Sequence, residues 1–350
     1  MSEMKDMIVE VVERIFKEKV EKETVDLLEA DAWSQEVWEV ILENEIDKVA
    51  VTEAHGGAGG DYEDLFQLYR LMGKYAVPIP FIEHTLANLA LEFANLPPQT
   101  ELSTVHLATK PLDVKEGKAS GILKHVPWAR YAEKLVTLAT EQGRPSLILL
   151  DLKDAQVQNQ TNLAAEPRDN VAFTDATILA NHPLTDEQLK FLQQLQTAAT
   201  VSKMAGAIDR AFELSVQFSK EREQFGRPIH RFQLVQQHLA ILAGEQALSA
   251  AALENIIAAL QREEAGDEIA FARLKLDDAS RIVATSAHQV HAAIGVTHEH
   301  RLHHYTRRLW AWRDEDFHAK YWKKELAKKL LHSSNTLWET LTTKKQVEHI

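Results

Sequence analysis

The residues best equipped for chemistry lie in the C-terminal half of the chain. In EREQFGRPIHRFQ, Glu221 to Gln233, Arg222 and Phe225 stand three residues apart, with Gly226 and Pro228 just after. A guanidinium is a permanently charged planar fork suited to phosphate oxygens. A ring beside it can cover an aromatic or apolar ligand, and the Gly/Pro pair stops a helix stiffly. In WAWRDED the acids Asp314, Glu315 and Asp316 follow Trp310 and Trp312. A carboxylate against aromatic rings can carry a raised pKa and act as a base, although the same run also reads as a solvated helix start. HEHRLHH puts His300, His303 and His304 on one helical face. No complete HExxH or ExxH pattern accompanies them, so the spacing favours a solvated or interface face over a metal centre. VAVTEAHGGAGGDYEDLF imitates a dinucleotide-binding turn, but Tyr62 occupies the place of the third glycine, and the stretch reads as a loop between helices.

The elements that must position these residues fall into three blocks. Residues 1–102 carry apolar side chains at helical spacing, as in VWEVILENEI and YEDLFQLYRLMGKYA, with Asp61 placed to cap the second. VPIP breaks the chain before a further apolar helix, and NLPPQT closes the block. Residues 103–183 switch to short apolar runs separated by turns such as EQGRP, the rhythm of a small β domain. Residues 184–350 return to long helices. Thr185 with Gln188 forms a capping box for a helix reaching about Phe225. Others are predicted from Phe232 to about Glu264, from about Glu268 to Ala293, and from near Glu299 and Asp316. Helices of this length with broad apolar faces predict an antiparallel bundle. The fold class is mostly α with a small central β domain.

Composition narrows the function. The 350 residues hold enough apolar side chains for a substantial core. The net charge of −13 argues against nucleic acid and anionic membranes as partners. Its acidity is concentrated at the start, where the first 60 residues hold sixteen Asp and Glu against six Lys and Arg. The absence of cysteine excludes disulfides, thiolate nucleophiles and Cys-ligated metals. The acidic, amphipathic N-terminus lacks the cationic start and apolar run of a secretion signal, and no apolar run is long enough to span a bilayer. A cytoplasmic location is the expectation.

The opening stretch resembles the acyl-CoA dehydrogenase family, whose bundle carries R-x-Q-F-G-x-P-I-x-x-F-Q-x-V-Q-x-x-L-A. Arg222, Gln224, Phe225, Gly226, Pro228, Ile229, Phe232, Gln233, Val235, Gln236, Leu239 and Ala240 match, with Phe218 where tyrosine is usual. QVHAAIGVTHEHRLHHYTRR is similar to the family's Q-x-x-G-G-x-G-x-T-x-E-x-x-L-H-x-Y-x-R-R, with Ala292 and Ala293 in place of the glycine pair. The resemblance implies an N-terminal helical domain, a middle β-barrel-like domain and a C-terminal four-helix bundle. It also implies FAD as cofactor, an acyl-CoA substrate, electron-transferring flavoprotein as electron acceptor, and a homo- or hetero-tetramer or dimer. By position, Arg222, Phe225, Gln289 and Ala293 correspond to residues that reach a neighbouring subunit's FAD.

Two departures stand out. The family's T-E-P-x-x-G-S-D segment has no counterpart beyond LATKPLDVKEG, and its W-I-T segment aligns with His125, Val126 and Pro127, where proline offers no N–H. The family's catalytic glutamate aligns with Asp316 or, at its alternative place, near Gln196, which leaves Asp316 and Glu315 as the candidate bases. The resemblance therefore supports two roles. One is α,β-dehydrogenation of an acyl-CoA to the trans-2-enoyl-CoA with hydride transfer to flavin. The other is that of a non-catalytic subunit completing a partner's FAD site in a hetero-oligomeric enzyme.

Overall fold

The computed structural model describes residues 2–107, 110–262, 266–315, 317–332 and 338–339. Five helices come first: α1 (Ser2–Lys19), α2 (Lys22–Asp26), α3 (Gln35–Glu43), α4 (Tyr62–Tyr75) and α5 (Phe81–Phe93). Local chemistry explains several of their ends. Asp61 caps α4, its side chain accepting from the N–H of Glu63 and Asp64 while Asp64 returns the bond to the N–H of Asp61. The loop before it folds on itself, with Gly60 N–H donating to Val49 O at 2.8 Å, and binds backbone to backbone without a parallel α/β unit behind it.

Seven strands follow: β1 (Ser103–His106), β2 (Leu112–Lys115), β3 (Lys118–Pro127), β4 (Lys134–Glu141), β5 (Arg144–Asp151), β6 (Ala155–Gln158) and β7 (Arg168–Pro183). Strand β4 pairs with β5 on one side and with β1 and then β2 on the other, both parallel to it. Antiparallel pairs β2–β3, β3–β7 and β7–β5 complete a closed ring, and β6 adds to β7. Closure removes the sheet edges that would otherwise invite association. Leu123, Leu135, Ile148, Leu150, Val171 and Phe173 fill the interior as a core of their own.

The bundle consists of α6 (Asp186–Glu221), α7 (Gln233–Gln261), α8 (Asp267–His291), α9 (Leu302–Arg313) and α10 (Ala319–His332). The Thr185–Gln188 capping box starts α6 as its sequence predicts. The far end differs from the prediction. Helix α6 stops at Glu221, four residues early, because Phe225 and Gly226 both take positive φ, 53° and 75°. That combination makes a two-residue turn, and β8 (Glu223–Gln224) pairs with β9 (Arg227–Pro228) across it.

Helices α4 and α6 cross at backbone contact. A Cβ on Gly73 would lie 1.8 Å from Lys203 O, and one on Gly206 would lie 1.8 Å from Arg70 O. Only glycine permits that approach, which brings Arg70 Nε 2.7 Å from Asp209 Oδ2 and fixes the height of Lys203 on α6.

Candidate functional site

The first part of the site is the hairpin after α6. Arg222 is exposed, and its N–H still closes the helix on Phe218 O at 2.9 Å while its O accepts from Ile229 N–H at 2.9 Å. No carboxylate among the described residues pairs with its guanidinium. Phe225, at the tip, is 92% exposed. Its backbone sits in the left-handed region, a conformation costing a non-glycine residue about 1 kcal/mol or more. Among the described residues the ring meets one other aromatic, Phe232, edge-on at 6.0 Å, and Arg227 lies over Phe232 at 4.4 Å. The hairpin thus presents a large exposed ring on a strained turn beside an exposed guanidinium.

Gln289 and Ala293 lie at the end of α8. Helices α6 and α8 run parallel, both antiparallel to α7, so their C-termini share one end of the bundle. Phe218 stacks on His291 at 4.5 Å, and His300 closes against both rings. Gln289 and Ala293 are exposed there. Ala292 holds φ 53° and ψ −141°, a backbone state that glycine adopts freely and alanine does not. The turn keeps its glycine-type geometry although the glycine is gone.

The second part is a cavity of about 560 Å³ where the three blocks meet, walled by α5, the strands, α6 and the end of α9. Its floor is a network of buried charges. Glu315 accepts from Arg168 Nε at 2.8 Å, Asn162 Nδ2 at 3.0 Å and Lys203 Nζ at 3.3 Å. Glu166 accepts from Trp312 Nε1 at 2.7 Å and lies 3.2 Å from Arg308 Nε. Lys203 sits 4.7 Å from the Trp312 ring centre. Burial pushes the Glu315 carboxyl up, but Arg168 and Lys203 outweigh it and hold the group at about 2. At Glu83, on the cavity wall, burial prevails over the pull of Lys203 and Arg168 and holds the carboxyl above the ordinary carboxylate range.

These positions bear on the candidate bases. Asp316 lies outside the described residues. Glu315 is in the cavity, but as an anchor for two cations, and so low a pKa leaves it little affinity for a proton. Gln196 also reaches the cavity, with its Oε1 accepting from Leu107 N–H at 3.2 Å. In β3, Pro127 pairs with Arg168 across the ladder and a bulge falls between Leu123 and Val126, so the wall aligned with the family's W-I-T segment has no proline N–H to offer. Sequence reasoning missed Glu83, Arg168 and Lys203. Glu83 and Lys203 are each a single charged residue within an apolar helical run, and that is the signal that marks them, whereas Arg168 sits between Glu166 and Asp169 and carries no such mark. The histidine face also differs from expectation: His303 and His304 are 6% and 3% exposed, packed inward against α2.

The fold has known counterparts. Solved structures of similar fold include the Tcur3481-Tcur3483 steroid ACAD G363A variant (TM-score 0.84, 22% identity, 93% of this chain and 97% of that one). The ChsE4-ChsE5 complex from Mycobacterium tuberculosis is similar too (TM-score 0.87, 19% identity, 96% and 99% covered). Residues 194–313 match the family described as acyl-CoA dehydrogenase, C-terminal domain. Acyl-CoA dehydrogenase IpdE2 of Mycobacterium tuberculosis is 27% identical over 282 residues, 79% of this chain and 80% of the relative. Its namesake in Mycolicibacterium smegmatis is 26% identical over 314 residues, 88% and 93%. Residues 194–313 thus match the acyl-CoA dehydrogenase C-terminal domain, and along most of its length the chain is similar to proteins named acyl-CoA dehydrogenases.

Proposed function

We propose that this chain is a subunit of an FAD-dependent acyl-CoA dehydrogenase that completes a neighbour's flavin site and does not carry out dehydrogenation in its own cavity. The observation that carries this reading is the hairpin: Phe225, 92% exposed on a strained turn, next to the unpaired Arg222. A guanidinium binds a diphosphate by two charge-assisted hydrogen bonds, and an exposed ring covers an adenine or ring edge. Gln289 and the backbone around Ala293 extend the same surface. Bound FAD would supply the hydride acceptor for α,β-dehydrogenation of an acyl-CoA to the trans-2-enoyl-CoA.

The cavity supports the non-catalytic half of the proposal. A base must take up the α-proton of the thioester, and Glu315, stabilised as a carboxylate by Arg168 and Lys203, has little affinity for it. Two of the similar folds, Tcur3481-Tcur3483 and the ChsE4-ChsE5 complex, are named as pairs of proteins, which is in keeping with a chain that works beside an unlike subunit. A second reading, in which this chain itself dehydrogenates an acyl-CoA, draws on Glu83, whose raised pKa suits a base at the cavity wall.

The purified chain separates the two. If it completes a neighbour's site, it retains little FAD alone, and acyl-CoA added anaerobically bleaches nothing. Stoichiometric FAD in the lone chain, reduced by an acyl-CoA, would overturn the proposal in favour of the second reading.

A further inference from the structure

A different cluster lies where α2 meets α9, away from both the hairpin and the cavity. Asp26 ends α2, and His303 and His304 open α9. One ligand atom from each, a carboxylate oxygen and two imidazole nitrogens, lies within 4.8 Å of the other two. His304 Nε2 stands 3.2 Å from Asp26 Oδ1 without the alignment of a hydrogen bond. Asp26 Oδ1, His303 Nε2 and His304 Nε2 are therefore all buried with no hydrogen-bond partner among the described residues.

Three unsatisfied buried polar atoms at one point are costly, about 1–3 kcal/mol each, and they call for an explanation. We infer that Asp26, His303 and His304 form a binding site for a divalent transition metal of the zinc type. Two imidazoles and a carboxylate are a common ligand set for such an ion, and the required donor atoms are already converged. Around a metal at about 2.1 Å, ligand atoms stand about 3 to 3.5 Å apart, so only a small contraction is needed. The exposed His298, whose ring meets that of His303 at 5.1 Å, or a water can complete the shell.

The surrounding charges set the affinity. Lys22 holds Asp26 Oδ2 at 2.5 Å and leaves Oδ1 for the ion. Of the nearby arginines, Arg307 is paired with Glu29 and Arg308 with Glu166, which offsets their charges, while Arg301 donates to Val20 O and leaves a positive charge that the ion's ligands must outweigh. The ion would join the N-terminal helical block to the bundle. The same junction already carries the Arg307–Glu29 pair and a bond from Arg301 Nη2 to Val20 O.

The test uses the full chain, stripped with a chelator and titrated with Zn²⁺ against a competing chromophoric chelator. One tight site per chain is the result the inference requires, with Co²⁺ giving the visible bands of a low-symmetry N/O site. Asp26→Asn, nearly isosteric and half-exposed, weakens the site at least about tenfold, and His304→Gln does the same. His300→Ala, a histidine outside the cluster, leaves affinity unchanged and controls for adventitious histidine binding. Circular dichroism checks the fold of each variant; should His304→Gln not fold, Asp26→Asn and the Co²⁺ spectrum decide. Absence of a tight site, or equal affinity in the parent and Asp26→Asn, would overturn the inference.

Discussion

Glu315 provides the sharpest test of how the cavity floor is built. Its carboxyl is held at about 2 against an ordinary 4.5. At 1.36 kcal/mol for each pH unit, the two cations favour its ionised form by about 3 kcal/mol. Glu315→Gln keeps the shape and removes the charge, leaving Arg168 and Lys203 partly uncompensated in a buried place. Breaking one partner of such a network costs about 3–5 kcal/mol. Glu315 keeps 21% of its side chain exposed, which places the loss near the lower figure. For a chain of 350 residues, about 3 kcal/mol corresponds to a fall in Tm of about 4 °C at pH 7. The pH dependence has a fixed sign. The folded carboxyl titrates below the unfolded one, so its stabilisation is complete above about pH 4.5 and fades as the pH falls toward 2. The gap between parent and variant therefore narrows through that window. Adding Lys203→Met to Glu315→Gln removes one charge of each sign and recovers part of the loss, a coupling of about 1 kcal/mol or more. Differential scanning calorimetry across pH, on the parent and both variants, checks all three points. A Glu315→Gln protein melting within about 1 °C of the parent at pH 7 would refute the reasoning, since the carboxylate would then hold nothing.

Further expectations concern the backbone. Gly206→Ala drives a methyl group into Arg70 O, 1.8 Å from the ideal Cβ, and is expected to destabilise by about 3 kcal/mol or prevent folding; soluble yield and Tm read the outcome. Ala292→Gly relieves a conformation costing about 1–3 kcal/mol, offset in part by glycine's greater chain entropy, so Tm should rise by about 1 °C. Phe225→Ala removes an exposed ring and should leave Tm unchanged within about 1 °C.

Much of the architecture can be read from residue patterns. Thr185 and Gln188 announce the start of α6, Asp61 that of α4, and short apolar runs with turns between them mark the strands that close into a barrel. The end of α6 could not be read from apolar periodicity, which continues to Phe225, because the left-handed turn at Phe225 and Gly226 overrides it. The cavity network was hidden for another reason. Glu83, Arg168, Lys203 and Glu315 come from four separate elements, and only the folded chain brings their charges together. The histidines show the limit of helical-face reasoning: His303 and His304 cluster under α2, supplied by residues almost 280 positions earlier, while His300 precedes α9 and packs on Phe218 and His291 instead.

The central claim is that the hairpin reaches a neighbour's flavin. It is tested by purifying the chain in complex with the dehydrogenase subunit that retains FAD with it, and measuring bound FAD in the parent and in Arg222→Ala. Loss of a charge-assisted contact to a diphosphate, about 1.5–3 kcal/mol, predicts FAD binding weakened about 10- to 100-fold in the variant complex, with the lone chains equally stable. Unchanged FAD content and affinity in the Arg222→Ala complex would contradict the account.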